Sequence, residues 1–160
     1  MMARPPLKVA SAERLRFSRR ARLKRRRLIR PLFDKTRQDV GTVSVGSIRL
    51  LYRMVPRSET GAREPVQVGF AVGRMGGAVR RNAAKRAMRE TCRVNQKLLQ
   101  QAAPSQEETL TVMILYRGRK LHDHLRGDLE EALRQLSTHV RAVEPLLCRQ
   151  PVDPMGGLVT

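Results

Sequence analysis

Three segments of the chain have the residue pattern of β-strands. Residues 43–54 are rich in β-branched and aliphatic side chains, residues 66–72 alternate between apolar and small or polar side chains, and residues 109–116 are mostly apolar. Because the third segment lacks alternation, we expect that strand to be buried on both faces of a sheet. A division of the second strand region into two strands is left open.

Apolar residues at helical spacing predict three helices: a short one within residues 28–33, a long one over residues 78–101, and a last one that follows Asp123. On the long helix the expected core side consists of Val79, Ala83, Ala87, Val94 and Leu98, with Met88 beside them. On the last helix it consists of Leu125, Leu129, Ala132, Leu133, Leu136 and Val140. The element order α-β-β-(β)-α-β-α indicates a single compact α+β domain.

The two ends of the chain differ in composition from this domain, which we place at residues 22–143. Residues 1–21 form a basic arm and residues 144–160 a tail rich in Pro and Gly, and both are predicted to be disordered. For the arm, ordering on RNA is an equal alternative. A mitochondrial transit peptide fits less well, because Ser is sparse and the charges run together.

The net positive charge of the chain indicates a polyanionic partner. The 160 residues carry a formal net charge of +19, and the excess is concentrated in residues 1–35, with 13 Lys+Arg and 2 Asp+Glu, and in residues 74–97, with 8 and 1. Nucleic acid is the favoured partner and an anionic membrane surface the second. The sequence has no apolar run of about 20 residues and no signal-peptide pattern, and its two Cys lack paired spacing. We therefore expect a cytoplasmic protein without a membrane segment.

The residues that could perform catalysis are few. No Ser/His/Asp, metal-ligand or phosphate-loop spacing occurs, and His122 and His124 lack a third ligand for a metal. An independent protein enzyme is therefore disfavoured, and no catalytic or metal-binding residue is predicted. A structural RNA-binding protein, such as a ribosomal component, would have the same composition.

The segment 74–93, RMGGAVRRNAAKRAMRETCR, carries the most information. It has one acidic residue, Glu90, whereas an ordinary surface helix mixes charges of both signs. Arg81, Lys85 and Arg89 repeat at intervals of four, and further cations widen the same stripe. Guanidinium groups match phosphate oxygens and stack on exposed bases, so the stripe suits folded RNA.

The spaced pattern Arg74-x-Gly76-x-Ala78-Val79-x-Arg81-Asn82-x-x-Lys85-Arg86-x-x-Arg89-Glu90 resembles the signature of the bacterial ribonuclease P protein component. Residues 22–37, 47–52, 66–72 and 112–118 are similar to other segments of that family, so the resemblance covers roughly residues 22–140. Gly73 and Gly77 stand where the family often has Lys, and Ala83-Ala84 replaces a bulkier pair.

The resemblance implies a fold and an activity. The fold would be a mainly antiparallel four-stranded sheet with helices and a left-handed β-α-β crossover, a hand that is rare in proteins. The protein would be a subunit of a ribonucleoprotein endonuclease, in which a catalytic RNA removes the 5′ leader of precursor tRNA. Mg²⁺ would be held mainly by the RNA, and the protein alone is not expected to cleave. Its partners would be the ribonuclease P RNA and precursor tRNA.

The resemblance also assigns the site residues. Those matched to RNA binding are Arg74, Arg81, Asn82, Lys85, Arg86, Arg89 and Arg93. Ile29, Phe33 and Tyr52 are candidates for a cleft between the first helix and the sheet, where leader bases would stack. Core packing is an equal alternative for these three, because each also falls on an apolar face.

Overall fold

A four-stranded sheet separates two hydrophobic layers in the computed structural model, which describes residues 19–61, 63–103 and 107–147. The strands are β1 (Gly41–Val45), β2 (Ile48–Pro56), β3 (Val66–Val72) and β4 (Glu108–Tyr116). The helices are α1 (Arg26–Ile29), α2 (Arg57–Thr60), α3 (Ala78–Val94), α4 (Gln96–Gln101) and α5 (Leu125–Leu147). Short 3-10 turns occupy Arg19–Ala21 and Arg30–Phe33.

The strand order across the sheet is β1-β2-β4-β3. β2 runs antiparallel to both β1 and β4, whereas β3 and β4 are parallel and are joined through α3 and α4. This arrangement confirms the expectation of an α+β fold with a mainly antiparallel four-stranded sheet. The left hand of the β3–β4 crossover stays a prediction.

A tight turn at residues 46–47 divides the first predicted strand region into β1 and β2, so the additional strand arises there and not in the second region. Val45 pairs with Ile48 across the turn. Gly46 has φ of +52°, a conformation that side chains with a Cβ disfavour, and a Cβ at this position would overlap the Asp128 carboxylate of α5. The turn therefore needs glycine both for its backbone and for its contact with α5.

The larger hydrophobic core lies between one face of the sheet and helices α3, α4 and α5. The apolar residues predicted for the last helix, from Leu125 to Val140, are all buried in it, which confirms that prediction. β4 contributes alternate residues to both sides of the sheet, with Val112 and Ile114 in this core and Met113 in the opposite one. The expected burial of β4 on both faces is confirmed.

The smaller core covers the other face of the sheet. Leu28 of α1 and Leu32 of the following 3-10 turn pack with Leu51, Val55 and Met113. The 3-10 turn begins where Pro31 removes a backbone donor, so the predicted first helix changes to tighter winding halfway along. The N-terminal segment Arg19–Leu23 then follows the free edge of β3, where the Leu23 N–H donates to the Val68 carbonyl at 3.0 Å.

The predicted core side of the long helix is confirmed only in part: Met88 is buried and Ala87 and Leu98 pack against the larger core, but the prediction is wrong for Val79 and Val94. Val79 and Val94 are 83% and 61% exposed, and the buried residues are Ala84, Met88, Thr91 and Cys92. This buried side is rotated by about one residue, or roughly 100°, from the predicted one. The reason is that small residues let α3 approach β3 and α5 closely, whereas Val79 lies in the first turn, outside that contact.

The long helix is also interrupted, contrary to the prediction of one helix over residues 78–101. It breaks at Asn95, whose side-chain amide donates to the Thr91 carbonyl at 2.9 Å and so competes with the helical backbone. At the ends of the domain, Arg19–Ala21 and the last turn of α5 are helical, although both fall in segments predicted to be disordered. The rest of the predicted arm and tail, residues 1–18 and 148–160, lies outside the described residues.

Candidate nucleic-acid interface

One side of α3 carries most of the cations matched to RNA binding. At about 100° per residue, Asn82, Lys85, Arg86, Arg89 and Arg93 fall within one sector of roughly 100°, and we call this set the α3 cationic surface. Asn82 and Arg86 are exposed, and the other three are partly buried. Because Ala78–Val94 is helical as predicted, Lys85, Arg86, Arg89 and Arg93 of the expected stripe lie on one side of α3, and their binding of RNA stays a prediction.

Acidic groups compensate little of this charge. Glu90 forms an ion pair with Arg93, in which Nε lies 3.0 Å from Oε2, and this contact lowers the pKa of the Glu90 carboxyl below its ordinary value. Among the described residues, no ion pair involves Lys85, Arg86 or Arg89. The α3 cationic surface therefore keeps at least three positive charges available for an external anion.

Arg89 is held by the sheet as well as by its helix. Its guanidinium carbon lies 5.9 Å from the centre of the Phe70 ring of β3, within the range of a cation–π contact. The Arg89 Nε is buried and has no hydrogen-bond partner among the described atoms. Phe70 therefore orients Arg89 through its ring and leaves the guanidinium donors for another acceptor.

Arg74 and Arg81 extend the positive charge to the start of α3. Both are exposed, and Arg74 lies in the loop between β3 and α3. Gly77, with φ of +81°, precedes the helix, and the first turn contains no acidic residue. The positive end of the helix dipole adds to the two side chains, so this end of α3 also favours anions.

A cleft opens on the other face of the sheet, beside the 3-10 turn that follows α1. It encloses about 280 Å³. Its lining comprises Leu32, Phe33, Asp34, Lys35, Arg37, Val40, Thr42, Arg49, Leu51 and Leu115. Phe33 is 49% exposed, so its ring presents a free face to this α1 cleft. Ile29, from the same segment, is partly buried and packs on the smaller core.

Two arginines of β2 face the cleft side of the sheet but differ in their partners. Arg53 and Arg37 both bond Asp39, at 2.6 and 2.9 Å, and these bonds hold the pKa of the Asp39 carboxyl well below its usual range. Arg49 lines the cleft, and its Nε is buried without a partner among the described atoms. Arg49 thus lines the cleft as a cation without an ion pair among the described residues.

Tyr52 does not share the groove with Ile29 and Phe33. It lies on the same face of β2 as Ile48 and Leu50 and packs against the larger core. This face of the sheet is opposite the cleft. The Tyr52 ring lies over Gly41 of β1, where a Cβ would overlap it, and burial raises the pKa of the phenol above its ordinary value. The expectation that one cleft contains all three residues is therefore wrong.

The sequence contained a signal for the β2 residues that do face the cleft. The alternation of β2 places Arg49 and Leu51 on the face opposite Ile48 and Leu50, and that face is the one covered by α1. Arg49, Leu51 and Leu115 were missed because the pattern of one strand does not tell which face the first helix covers.

The described residues contain no group of three or more His, Cys, Asp and Glu side chains arranged to hold a metal ion. His122 and His124 are exposed. Cys92 is buried in the larger core, and burial raises the pKa of its thiol. In the same part of the chain, no helix is long and apolar enough to cross a membrane.

The comparison with protein families agrees with the resemblance in the sequence. The Ribonuclease P family model matches residues 17–141. A solved structure titled "Structure of Staphylococcus aureus RNase P protein at 2.0 angstrom" aligns with 16% sequence identity and a TM-score of 0.40, covering 77% of this chain and 94% of that one. No curated protein sequence matches. Because the family model spans most of the chain, including α3 and the α1 cleft, the chain belongs to the family of ribonuclease P protein components.

Proposed function

We propose that this ribonuclease P subunit binds the catalytic RNA through the α3 cationic surface and the 5′ leader of precursor tRNA in the α1 cleft. The observation that carries the proposal is the set of Lys85, Arg86 and Arg89 on one side of α3, without ion-pair partners among the described residues. Positive charges held this close repel one another unless an anion compensates them. A folded RNA supplies phosphates at that density.

The α1 cleft supports leader binding on different grounds. The half-exposed ring of Phe33 offers a stacking surface that accepts any base, which a processing enzyme acting on many precursors requires. Arg49, which lines the cleft without an ion pair among the described residues, can bond a backbone phosphate of the same strand. Stacking and phosphate contact together bind a single strand without reading its sequence.

We propose that the RNA supplies the catalytic centre and holds the Mg²⁺. Asp34 and Asp39 are carboxylates near the cleft, but Asp34 accepts hydrogen bonds from Thr36 and Asp39 is bonded to two arginines. Both Asp39 oxygens are bonded to arginines and Asp34 keeps one oxygen free, so the described residues near the cleft offer no carboxylate cluster for a resident magnesium ion. In the proposal, the protein positions the two RNAs and offsets phosphate repulsion.

Binding to the RNA subunit tests the α3 part of the proposal. Arg86→Ala and Arg81→Ala should weaken the affinity of the protein for ribonuclease P RNA and reduce its salt slope by up to about 0.9 per lost phosphate contact. Both side chains are exposed, so circular dichroism should show an unchanged fold. Arg134→Ala is the matched control, because Arg134 is exposed on α5 and pairs with Glu131 at 3.7 Å.

The same measurement with ribosomal RNA separates this function from that of a ribosomal component. We expect clearly tighter binding of ribonuclease P RNA at equal salt. Equal affinity for both RNAs, with equal losses in the variants, would contradict the proposal.

A further inference from the structure

A second cavity, lined by arginines, lies at the other end of α1 from the cleft. It encloses about 400 Å³, within the range of about 300–1,000 Å³ that is usual for ligand pockets. Its described lining consists of Arg20, Arg25, Thr60, Gly61, Arg63 and Gln67. We call it the arginine pocket. It contains three guanidinium groups and no acidic side chain among these residues.

The walls of the arginine pocket are held by specific contacts. The Arg25 Nη1 donates to the Thr60 carbonyl at 2.9 Å, which fixes the guanidinium at the rim. Gly61 has φ of +59° and ends α2, and a Cβ there would lie 3.5 Å from the Arg25 Nη1. Glycine therefore keeps a side chain from contacting this nitrogen. On the other wall, the Gln67 amide donates to the Arg20 carbonyl at 3.2 Å.

Charge compensation from within the described part of the protein is weak at this pocket. No ion pair there involves Arg25 or Arg63. The nearest acidic residues along the chain, Glu59 and Glu64, form no ion pair with these arginines among the described residues. A cavity with several guanidinium donors calls for an anion with several oxygens, and phosphate matches the guanidinium fork.

The position of the pocket relates it to the α1 cleft. Gln67 lies on the face of β3 opposite the larger core, so both cavities open on the α1 side of the sheet. They share none of their described lining residues. Arg25 precedes α1, and Phe33 ends the turn that follows it, so about 12–16 Å of helical chain separates them. A single RNA strand of a few nucleotides spans such a distance.

We propose that the arginine pocket binds a backbone phosphate of an RNA strand that crosses the α1 side of the sheet. This inference rests on the proposed function, since it takes RNA as the ligand. It adds a phosphate site that is separate from both the α3 cationic surface and the cleft. The phosphate can belong to the leader of precursor tRNA or to the RNA subunit, and the two sources are separable by experiment.

The test compares Arg25→Gln, Arg63→Gln and the double variant with Arg141→Gln, which removes one exposed charge from α5 on the opposite side of the sheet. Affinity and its salt dependence are measured for ribonuclease P RNA, mature tRNA, and precursors with leaders of increasing length. The double variant should bind about threefold to tenfold more weakly, and its salt slope should fall in magnitude by about 0.7, the value for one lost phosphate contact on a single strand. Arg141→Gln should change neither quantity by as much.

The pattern of losses identifies the source of the phosphate. A loss confined to precursors with longer leaders assigns it to the leader, and a loss with ribonuclease P RNA alone assigns it to the RNA subunit. Arg25→Lys should recover only part of the affinity, because it keeps the charge but not the fork. The Arg63 side chain forms no hydrogen bond among the described residues, whereas Arg25 bonds the Thr60 carbonyl. Arg63→Gln therefore measures the effect on RNA affinity even if Arg25→Gln disturbs the segment around Thr60.

Two outcomes distinguish this inference from the proposed function. If the wild-type protein binds ribonuclease P RNA and precursor tRNA, and the double variant binds all RNAs equally well, the pocket is not a phosphate site and the function stands. If the wild-type protein does not prefer ribonuclease P RNA, but the double variant loses affinity for a generic single-stranded RNA, the function is wrong and the pocket stands. Unchanged RNA binding together with lost binding of an acidic peptide would assign the pocket to a protein partner and overturn the inference.

Discussion

Phe33→Ala should weaken RNA binding and Tyr52→Ala should weaken folding, because the two rings lie on opposite faces of the sheet. Phe33 is 49% exposed in the α1 cleft, so a leader base can stack on it. Losing one stack costs about 1–3 kcal/mol, which is a loss of roughly 5-fold to 150-fold in affinity. Tyr52 packs against the larger core and over Gly41, so its removal should act on folding instead.

The stability of the two variants can be bounded in the same way. A fully buried aromatic side chain covers about 150–250 Å², and half of that area at about 25 cal/mol per Å² corresponds to about 2–3 kcal/mol as an upper limit for Phe33. The domain should therefore stay folded in Phe33→Ala. Tyr52→Ala should lower the melting temperature at least as much, because its ring packs over Gly41 and against the larger core.

The assay measures affinity for precursor tRNA with a leader of several nucleotides and for mature tRNA. Phe33→Ala should weaken binding of the precursor only, whereas Tyr52→Ala should not discriminate between the two. Phe33→Tyr keeps a ring and serves as the control that retains affinity. A leader-specific loss in Tyr52→Ala, or equal losses for both RNAs in Phe33→Ala, would refute the placement of the leader in the α1 cleft.

Three further predictions concern Arg89, two glycines and Asp39. Phe70→Leu should weaken RNA binding through Arg89, and a double-mutant cycle with Arg89→Gln should give a coupling of about 0.5–1 kcal/mol, whereas additive losses would exclude a cation–π contact. Gly127→Ala adds a methyl group to an open position of α5 and should raise the free energy of unfolding by about 0.4–1 kcal/mol, whereas Gly46→Ala should lower it by about 1–2 kcal/mol or more. Denaturant unfolding that ranks the two variants otherwise would contradict the turn geometry. The ion pairs of Asp39 depress its folded-state pKa. Their contribution to folding stability, less than about 1 kcal/mol, is complete above the unfolded pKa near 3.9 and is lost as pH falls further. Asp39→Asn should therefore be less stable than wild type at pH 7 and equal to it in strong acid.

The sequence predicted best where one pattern had one structural meaning. The mostly apolar run of β4 and the long stripe of α5 from Leu125 to Val140 are both buried as expected. The spaced cations of α3 fall on one side because helical geometry alone places them there. In each case the local sequence pattern determines the result.

Prediction failed where tertiary packing chose between equal local alternatives. In α3, the small residues Ala83 and Ala84 offer two possible core sides, and contact with β3 and α5 selects the side of Ala84. In β2, alternation separates Tyr52 from Leu51, but the position of α1 determines which face becomes the cleft. The arginine pocket joins two segments, residues 20–25 and 60–67, that are distant along the chain, so no local pattern could indicate it.

Reconstitution with the ribonuclease P RNA of the same organism tests the central claim most directly. The measured quantity is the rate of cleavage of precursor tRNA at the mature 5′ end as Mg²⁺ is varied, for protein alone, RNA alone and the two together. We expect no cleavage by the protein alone, and cleavage by the complex at a lower Mg²⁺ concentration than the RNA alone requires. Cleavage by purified protein without RNA, or a Mg²⁺ requirement that the protein leaves unchanged, would contradict the account.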